Sequence, residues 1–274
     1  MVMIIVAGGD SFVFGSELQS PCKTFTALLS KEYEYNLAAW PGIGNDGIAR
    51  RVITELEALY PEKPIVIVSW TFPGRYEFKF TYDTGQKTRE WYSITPWSIL
   101  DNIEKIKQEF VTSDNDILRQ HIEHLDKSKK TGVQDFAKEF YKHVGSGEYW
   151  EVYSSLKEIV YLQSYLKSND IPYLFTCADN SILYNYTVTH ADSIIHSLTG
   201  QIFRDQENWF WFPKGKGNDQ TETPRGFYQW AVENKYPIGT THPLEEAHSA
   251  AADLMKEKFN EMVKKHLLQN KTRN

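Results

Sequence analysis

The sequence predicts an α/β protein: a mainly parallel β-sheet with helices on both faces, hence a three-layer sandwich. Three observations carry this expectation. Short apolar runs stop at turn residues, residues 2–7 before Gly8-Gly9 and Ile65-Val66-Ile67-Val68 after Pro64, as strands covered on both faces do. Segments with helical spacing separate these runs. The resulting order of strand, helix, strand, helix, strand implies right-handed crossovers and therefore parallel pairing.

Each element has its own local signal. The first strand, residues 2–7, ends at the glycine pair, and a helical pattern follows over residues 24–31. Residues 35–39 read as a second strand, broken by Pro41-Gly42. Asn45 or Asp46 can cap the next helix, in which Ile48, Val52, Leu56 and Leu59 recur at helical spacing. Residues 65–68 form the clearest buried strand. A helix carrying Leu156, Ile159, Val160 and Leu166 precedes a fourth strand at residues 172–177, and a terminal helix runs over residues 243–266.

Two stretches exceed this pattern. Residues 77–147 begin as an aromatic, polar loop and continue as charged helical sequence (Ile103, Ile106, Phe110; Ile117, His121, Leu125). Residues 200–236 are rich in Trp, Phe, Gly and Lys. Both follow predicted strands, where loops wall the active sites of open α/β folds, and both read as insertions in one domain spanning 1–274. Solvated decoration is the alternative to a substrate lid.

Composition narrows the function classes. A chain of 274 residues can bury a core without staples, and its net charge of −6 argues against a nucleic-acid partner. Its 2 cysteines, Cys22 and Cys177, make neither a disulfide scaffold nor a zinc spacing. The first residues lack the basic start and the length of a signal peptide, and no stretch has the length of a membrane span. The expectation is a cytoplasmic protein with no metal, no cofactor and no membrane partner.

Chemistry is concentrated in two short motifs. Gly9-Asp10-Ser11-Phe12 follows the first strand, where a serine at a strand-to-helix turn can stand exposed at the sheet's carboxyl edge. A serine hydroxyl needs a base to act as a nucleophile. His242-Pro243 lies just before the last helix, where an imidazole could serve as base and then acid. Taken singly, the first reads as a turn with a serine cap and the second as a surface histidine.

Together, at the two ends of an alternating α/β chain, these motifs resemble the SGNH/GDSL hydrolases. The resemblance implies a flavodoxin-like fold and an esterase, lipase, thioesterase or carbohydrate O-deacetylase. It implies Ser11 as nucleophile and oxyanion donor through its N–H, with His242 as base. Asn36-Leu37-Ala38-Ala39-Trp40-Pro41-Gly42 is similar to the family's second block, which makes Gly42 a further donor. A fixed oxyanion donor is worth ~10²–10³ in rate.

The chain departs from the family twice. The expected Gly-x-Asn-Asp after the third strand is replaced by Ser69-Trp70-Thr71-Phe72-Pro73-Gly74-Arg75. Asn45, in the Gly44-Asn45-Asp46 that follows the second strand, either takes over as donor or caps its helix. Asp10, Trp70 and Arg75 are grouped with the oxyanion and substrate-binding residues, and Trp70, Thr71 or Arg75 is the alternative lining of the site. Arg75 either meets an anionic substrate group or forms a surface salt bridge. The acid expected three residues before the histidine is Gly239. Either Ser11 and His242 work as a dyad, or Asp179, Glu245 or Glu246 orients the ring. His248 is assigned a structural role, and the Asn185-Tyr186-Thr187 sequon no role.

The leading expectation is a serine hydrolase acting on a small-molecule or glycan ester, the glycan suggested by the aromatic insertions. The alternative is a degenerate member that binds without chemistry. A nucleotide-binding flavodoxin-like protein is the third reading, and the chain has neither G-x-G-x-x-G nor a P-loop lysine.

Overall fold

The computed structural model describes residues 3–83, 87–96, 132–184, 192–214 and 223–273. Its strands are β1 (Ile4–Gly8), β2 (Glu34–Leu37), β3 (Ile65–Trp70), β4 (Tyr76–Asp83), β5 (Lys87–Ile94) and β6 (Tyr173–Cys177). The helices are α1 (Ser11–Phe14), α2 (Phe25–Leu29), α3 (Asn45–Ala58), α4 (Val133–Phe140), α5 (Glu148–Ser168), α6 (Ser181–Tyr184), α7 (Ser193–Phe203), α8 (Phe227–Glu233) and α9 (Glu245–Arg273).

Four strands form the central sheet in the order β2-β1-β3-β6, every pair parallel. Pairing aligns Ile5 with Ile65 and Val66 with Tyr173, so side chains of one parity share a face. Val6, Val66, Val68 and Phe175 point toward α3, α5 and α7, meeting Ile48, Val52, Leu156, Ile159 and Ile195. Ile5, Ala7, Ile65, Ile67 and Leu174 point the other way, toward α2, α8 and α9. Both faces are buried, which is why β1, β3 and β6 carry apolar residues at both parities. On α9, Ala247, Ala251, Met255, Phe259 and Val263 recur at one-turn spacing and turn a single stripe into this second layer.

The stretch after β3 corrects the sequence reading. Tyr76–Asp83 and Lys87–Ile94 pair as antiparallel strands, β4 against β5, rather than forming a loop. The pair's apolar parity, with Tyr76, Tyr92 and Ile94, packs on Val133 and Ala137 of α4 and on Tyr141 as a third cluster. The Tyr141 hydroxyl donates to Gly74 O at 2.7 Å and to Ile94 O at 3.1 Å, fastening the base of the pair. Residues 103–125 and the sequon at 185–187 lie outside the described residues. In the second stretch, Trp209, Phe212, Phe227 and Trp230 are buried, so these aromatics fill the core instead of walling a cleft.

Both cysteines are free, Cys177 within β6 and buried. Among the described residues no helix is long and apolar enough to cross a membrane.

Candidate active site

In an open parallel sheet, ligands meet the carboxyl ends of the strands where connections leave in opposite directions. With β2 and β3 on either side of β1, that point lies at the ends of β1 and β3. The chain leaves β1 through Gly9, where an added Cβ would stand 2.4 Å from Val13 Cγ2 and 3.2 Å from Ser69 O. Only glycine lets the turn pass so close to β3. Asp10 caps α1, its Oδ1 accepting the Phe12 N–H at 3.1 Å, and Ser11 is the first helical residue. Gly15, at φ 88, stops α1 after 4 residues and turns the chain toward Glu17, itself at φ 67.

His242 comes from the other end of the chain. It sits in a narrow turn closed by the Ile238–Pro243 bridge and by the Gly239 N–H donating to His242 O at 2.8 Å. Pro243 therefore belongs to this turn rather than to the first turn of α9, which begins at Glu245. His242 Nε2 lies 2.7 Å from Ser11 Oγ, and His242 Nδ1 lies 2.7 Å from Glu17 Oε1. With a carboxylate at Nδ1, that nitrogen carries the proton and Nε2 is left to accept from the serine. Phe12 stands edge-on to the imidazole at 5.0 Å.

The acid at the histidine is Glu17, and none of the sequence candidates takes that place. Asp179 Oδ1 accepts the Ser181 N–H at 2.8 Å, at the start of α6. Glu245 Oε1 accepts the Gln19 N–H at 3.0 Å, which secures the loop carrying Glu17 without touching the ring. Glu246 also lies in the first turn of α9. Glu17 accepts from Thr240 N at 2.6 Å, from Thr241 N at 3.2 Å and from Thr241 Oγ1 at 2.9 Å. Partial burial pushes its carboxyl up, but the hydrogen bonds from His242 and Thr241 and the His242 charge outweigh this and hold it below its ordinary value. A Cβ added to Gly239 would lie 2.2 Å from Glu17 Oε2. The glutamate thus fills the space a side chain at 239 would need.

A second network lies beside the serine. Asp10 is fully buried, and its Oδ2 accepts from Thr71 Oγ1 at 2.5 Å and from Arg75 Nη1 at 3.2 Å. Arg75 is thus neither a free anion receptor nor a surface salt bridge; it neutralises the carboxylate that caps α1. Asn45 does not cap α3, whose N-cap is Gly44. Its amide clasps the Thr71 backbone instead, Oδ1 accepting from Thr71 N at 2.9 Å and Nδ2 donating to Thr71 O at 3.2 Å. Trp70 is fully buried, edge-on to Phe175 at 5.3 Å, and is a core residue rather than a wall of the site. Gly42 has φ 71, and among the described residues its missing Cβ would find only Thr95 Cγ2, at 4.0 Å. Among the described residues, neither the Ser11 nor the Gly42 N–H has a hydrogen-bond partner.

His248 is structural. Its Nδ1 accepts the Phe25 N–H at 3.2 Å between the rings of Phe25 and Phe227. Burial, with the nearby His242, lowers its pKa to about 3, so it stays neutral.

In sequence, the chain matches no family model and no curated protein. In three dimensions it is similar to the psychrotrophic esterase EstA from Pseudoalteromonas sp., in a structure inhibited by monoethylphosphonate: 13% identity, 95% of this chain and 98% of that chain covered, TM-score 0.46. It is similar to a two-domain esterase active on acetylated mannans, co-crystallized with mannopentaose, at 11% identity and TM-score 0.39. There 95% of this chain covers 49% of the esterase, about half its length. Likenesses this loose leave the functional reading to the geometry of Ser11, His242 and Glu17.

Proposed function

We propose that the chain is a serine ester hydrolase of the SGNH/GDSL kind, with Ser11 as nucleophile and His242 as base. The observation that carries this is the 2.7 Å approach of His242 Nε2 to Ser11 Oγ, with a carboxylate on the opposite ring nitrogen. Ser11 Oγ attacks the ester carbonyl carbon while its proton passes to His242 Nε2. The C–O bond to the alcohol then breaks, and Nε2 returns that proton to the leaving alkoxide. Water attacks the acyl-serine in the second half, again giving its proton to Nε2, and the acid leaves as Ser11 regains a proton.

The oxyanion would be met by the N–H groups of Ser11 and Gly42. Asn45 keeps a second amide hydrogen beyond the one bound to Thr71 O, and it is the side-chain donor of this reading. Glu17 orients His242 and balances the imidazolium, and so supplies the acid whose absence at 239 had favoured a protein without catalysis.

The test is turnover of p-nitrophenyl acetate together with labelling by a serine-directed fluorophosphonate. Ser11→Ala and His242→Ala should each lose about 10³-fold or more in kcat, and Ser11→Ala should not label. Equal background rates in all three proteins would overturn the assignment in favour of a binding protein.

A further inference from the structure

Trp40 leaves half of its surface, 50%, in solvent although it is fastened to the catalytic turn. Its backbone N–H donates to Gly9 O at 3.1 Å, beside Asp10-Ser11, and Gly42 follows two residues later. The backbone at Trp40 is thus tied beside both segments that carry the N–H groups assigned to the oxyanion. Phe14, from the helix that Ser11 begins, stands edge-on to it at 5.8 Å and 69°. The Arg51 guanidinium lies 5.3 Å from the ring centroid.

Adjacent arginines on α3 are used differently. Arg50 gives Nε and Nη2 to the Glu77 carboxylate at 2.6 and 2.9 Å. Arg51 gives only Nε, to Ala38 O at 2.9 Å, and its remaining N–H groups have no hydrogen-bond partner among the described residues. A half-exposed indole with a guanidinium over its ring, and N–H donors on that guanidinium left over, suits a ligand that pairs apolar C–H surface with polar oxygens. A pyranose has that form, its axial C–H bonds lying on the ring plane and its hydroxyl or acetyl oxygens reaching the donors. An acyl chain would instead need a continuous apolar groove.

We infer that Trp40 and Arg51 form a sugar subsite beside Ser11, which makes O-acylated carbohydrate the substrate class of the proposed hydrolase. The subsite lies outside the inserted stretches, where the sequence had suggested glycan contacts. Its assignment to a substrate rests on the hydrolase reading; the binding of sugar does not.

The experiment therefore reads binding separately from turnover. Partially O-acetylated xylotetraose is titrated calorimetrically into Ser11→Ala protein. Adding Trp40→Ala should weaken binding at least tenfold, and adding Arg51→Met about three- to tenfold, the range of one or two lost hydrogen bonds. Adding Trp150→Ala, another exposed tryptophan, should change it less than twofold. In protein with Ser11 intact, Trp40→Ala should lower the ratio of kcat/KM for this oligosaccharide to that for vinyl acetate at least tenfold. No binding by Ser11→Ala protein, or an affinity within twofold after Trp40→Ala, overturns the subsite. Failure of the unmodified protein to turn over vinyl acetate overturns the hydrolase reading instead, and the calorimetry still decides the subsite.

Discussion

Glu17 and a side chain at position 239 compete for one space, because a Cβ there would lie 2.2 Å from Glu17 Oε2. The carboxylate should therefore be movable. Glu17→Ala removes the partner of His242 Nδ1 and is expected to lower kcat by about 10²–10⁴, the range known for triad acids. Gly239→Asp alone should also lose activity, since it drives a second carboxylate into Glu17. The double variant Glu17→Ala/Gly239→Asp should regain at least tenfold in kcat over Glu17→Ala; a double variant no better than the single one would show that Glu17 acts only by holding the loop. Glu17 also has a pH signature. Its folded pKa is depressed, so its contribution to stability is present above the ordinary carboxylate value of ~4.3 and is lost as pH falls through the lower folded value. Melting temperatures of the natural protein and Glu17→Gln should differ at pH 7 and converge in strong acid. Nothing in the sequence marked Glu17. Its partner is 225 residues away, and it is aimed by a left-handed turn that no spacing rule anticipates.

At the scale of elements, legibility followed burial. Strands β1, β3 and β6 are covered on both faces, so apolar runs betray them; the β4–β5 pair does not stand out because one parity is polar. Its alternation was nonetheless present, Tyr76, Phe78 and Phe80 against Glu77, Lys79 and Thr81. The start of α3 was visible too, but not its docking on the loop after β3. A Cβ at Gly44 would stand 2.4 Å from Arg75 O and 2.5 Å from Asp46 Oδ1. Gly44→Ala must push that loop away and loosen the clasp of Asn45 on Thr71. Activity should fall tenfold or more while far-ultraviolet circular dichroism is kept; unchanged kcat would mean the clasp does not position the site. Where α9 meets α2, His248 gives a second test. Its pKa, lowered to about 3, is below the unfolded value of ~6.5, so the unfolded chain binds the extra proton between those limits. Stability from this residue is complete above that upper limit and declines as pH falls toward the lower one. His248→Gln should flatten that part of the curve of melting temperature against pH, and an unaltered curve would assign the acid sensitivity elsewhere.

Across the whole molecule, the proposed site joins the two ends of the chain: Ser11 and Glu17 follow the first strand, and His242 precedes the last helix. Beyond the turn that carries His242, α9 packs on α2 and on the sheet in a layer far from the chemistry. Phe259 is buried in that layer, 6.0 Å from the Tyr33 ring. It lies 14 residues beyond Glu245, roughly 21 Å along a helix rising 1.5 Å per residue. Phe259→Ala leaves a cavity where the second layer is sealed and should cost about 3–5 kcal/mol. The urea midpoint should fall accordingly. The turn holding His242 is fixed locally by Glu17, Gly239 and Pro243, so the folded fraction should keep its kcat, and activity should disappear along the same urea curve as tertiary fluorescence. Loss of kcat at urea concentrations where fluorescence still reports a fully folded protein would show otherwise: the seating of α9, and not the short turn before it, would then set the approach of imidazole to serine.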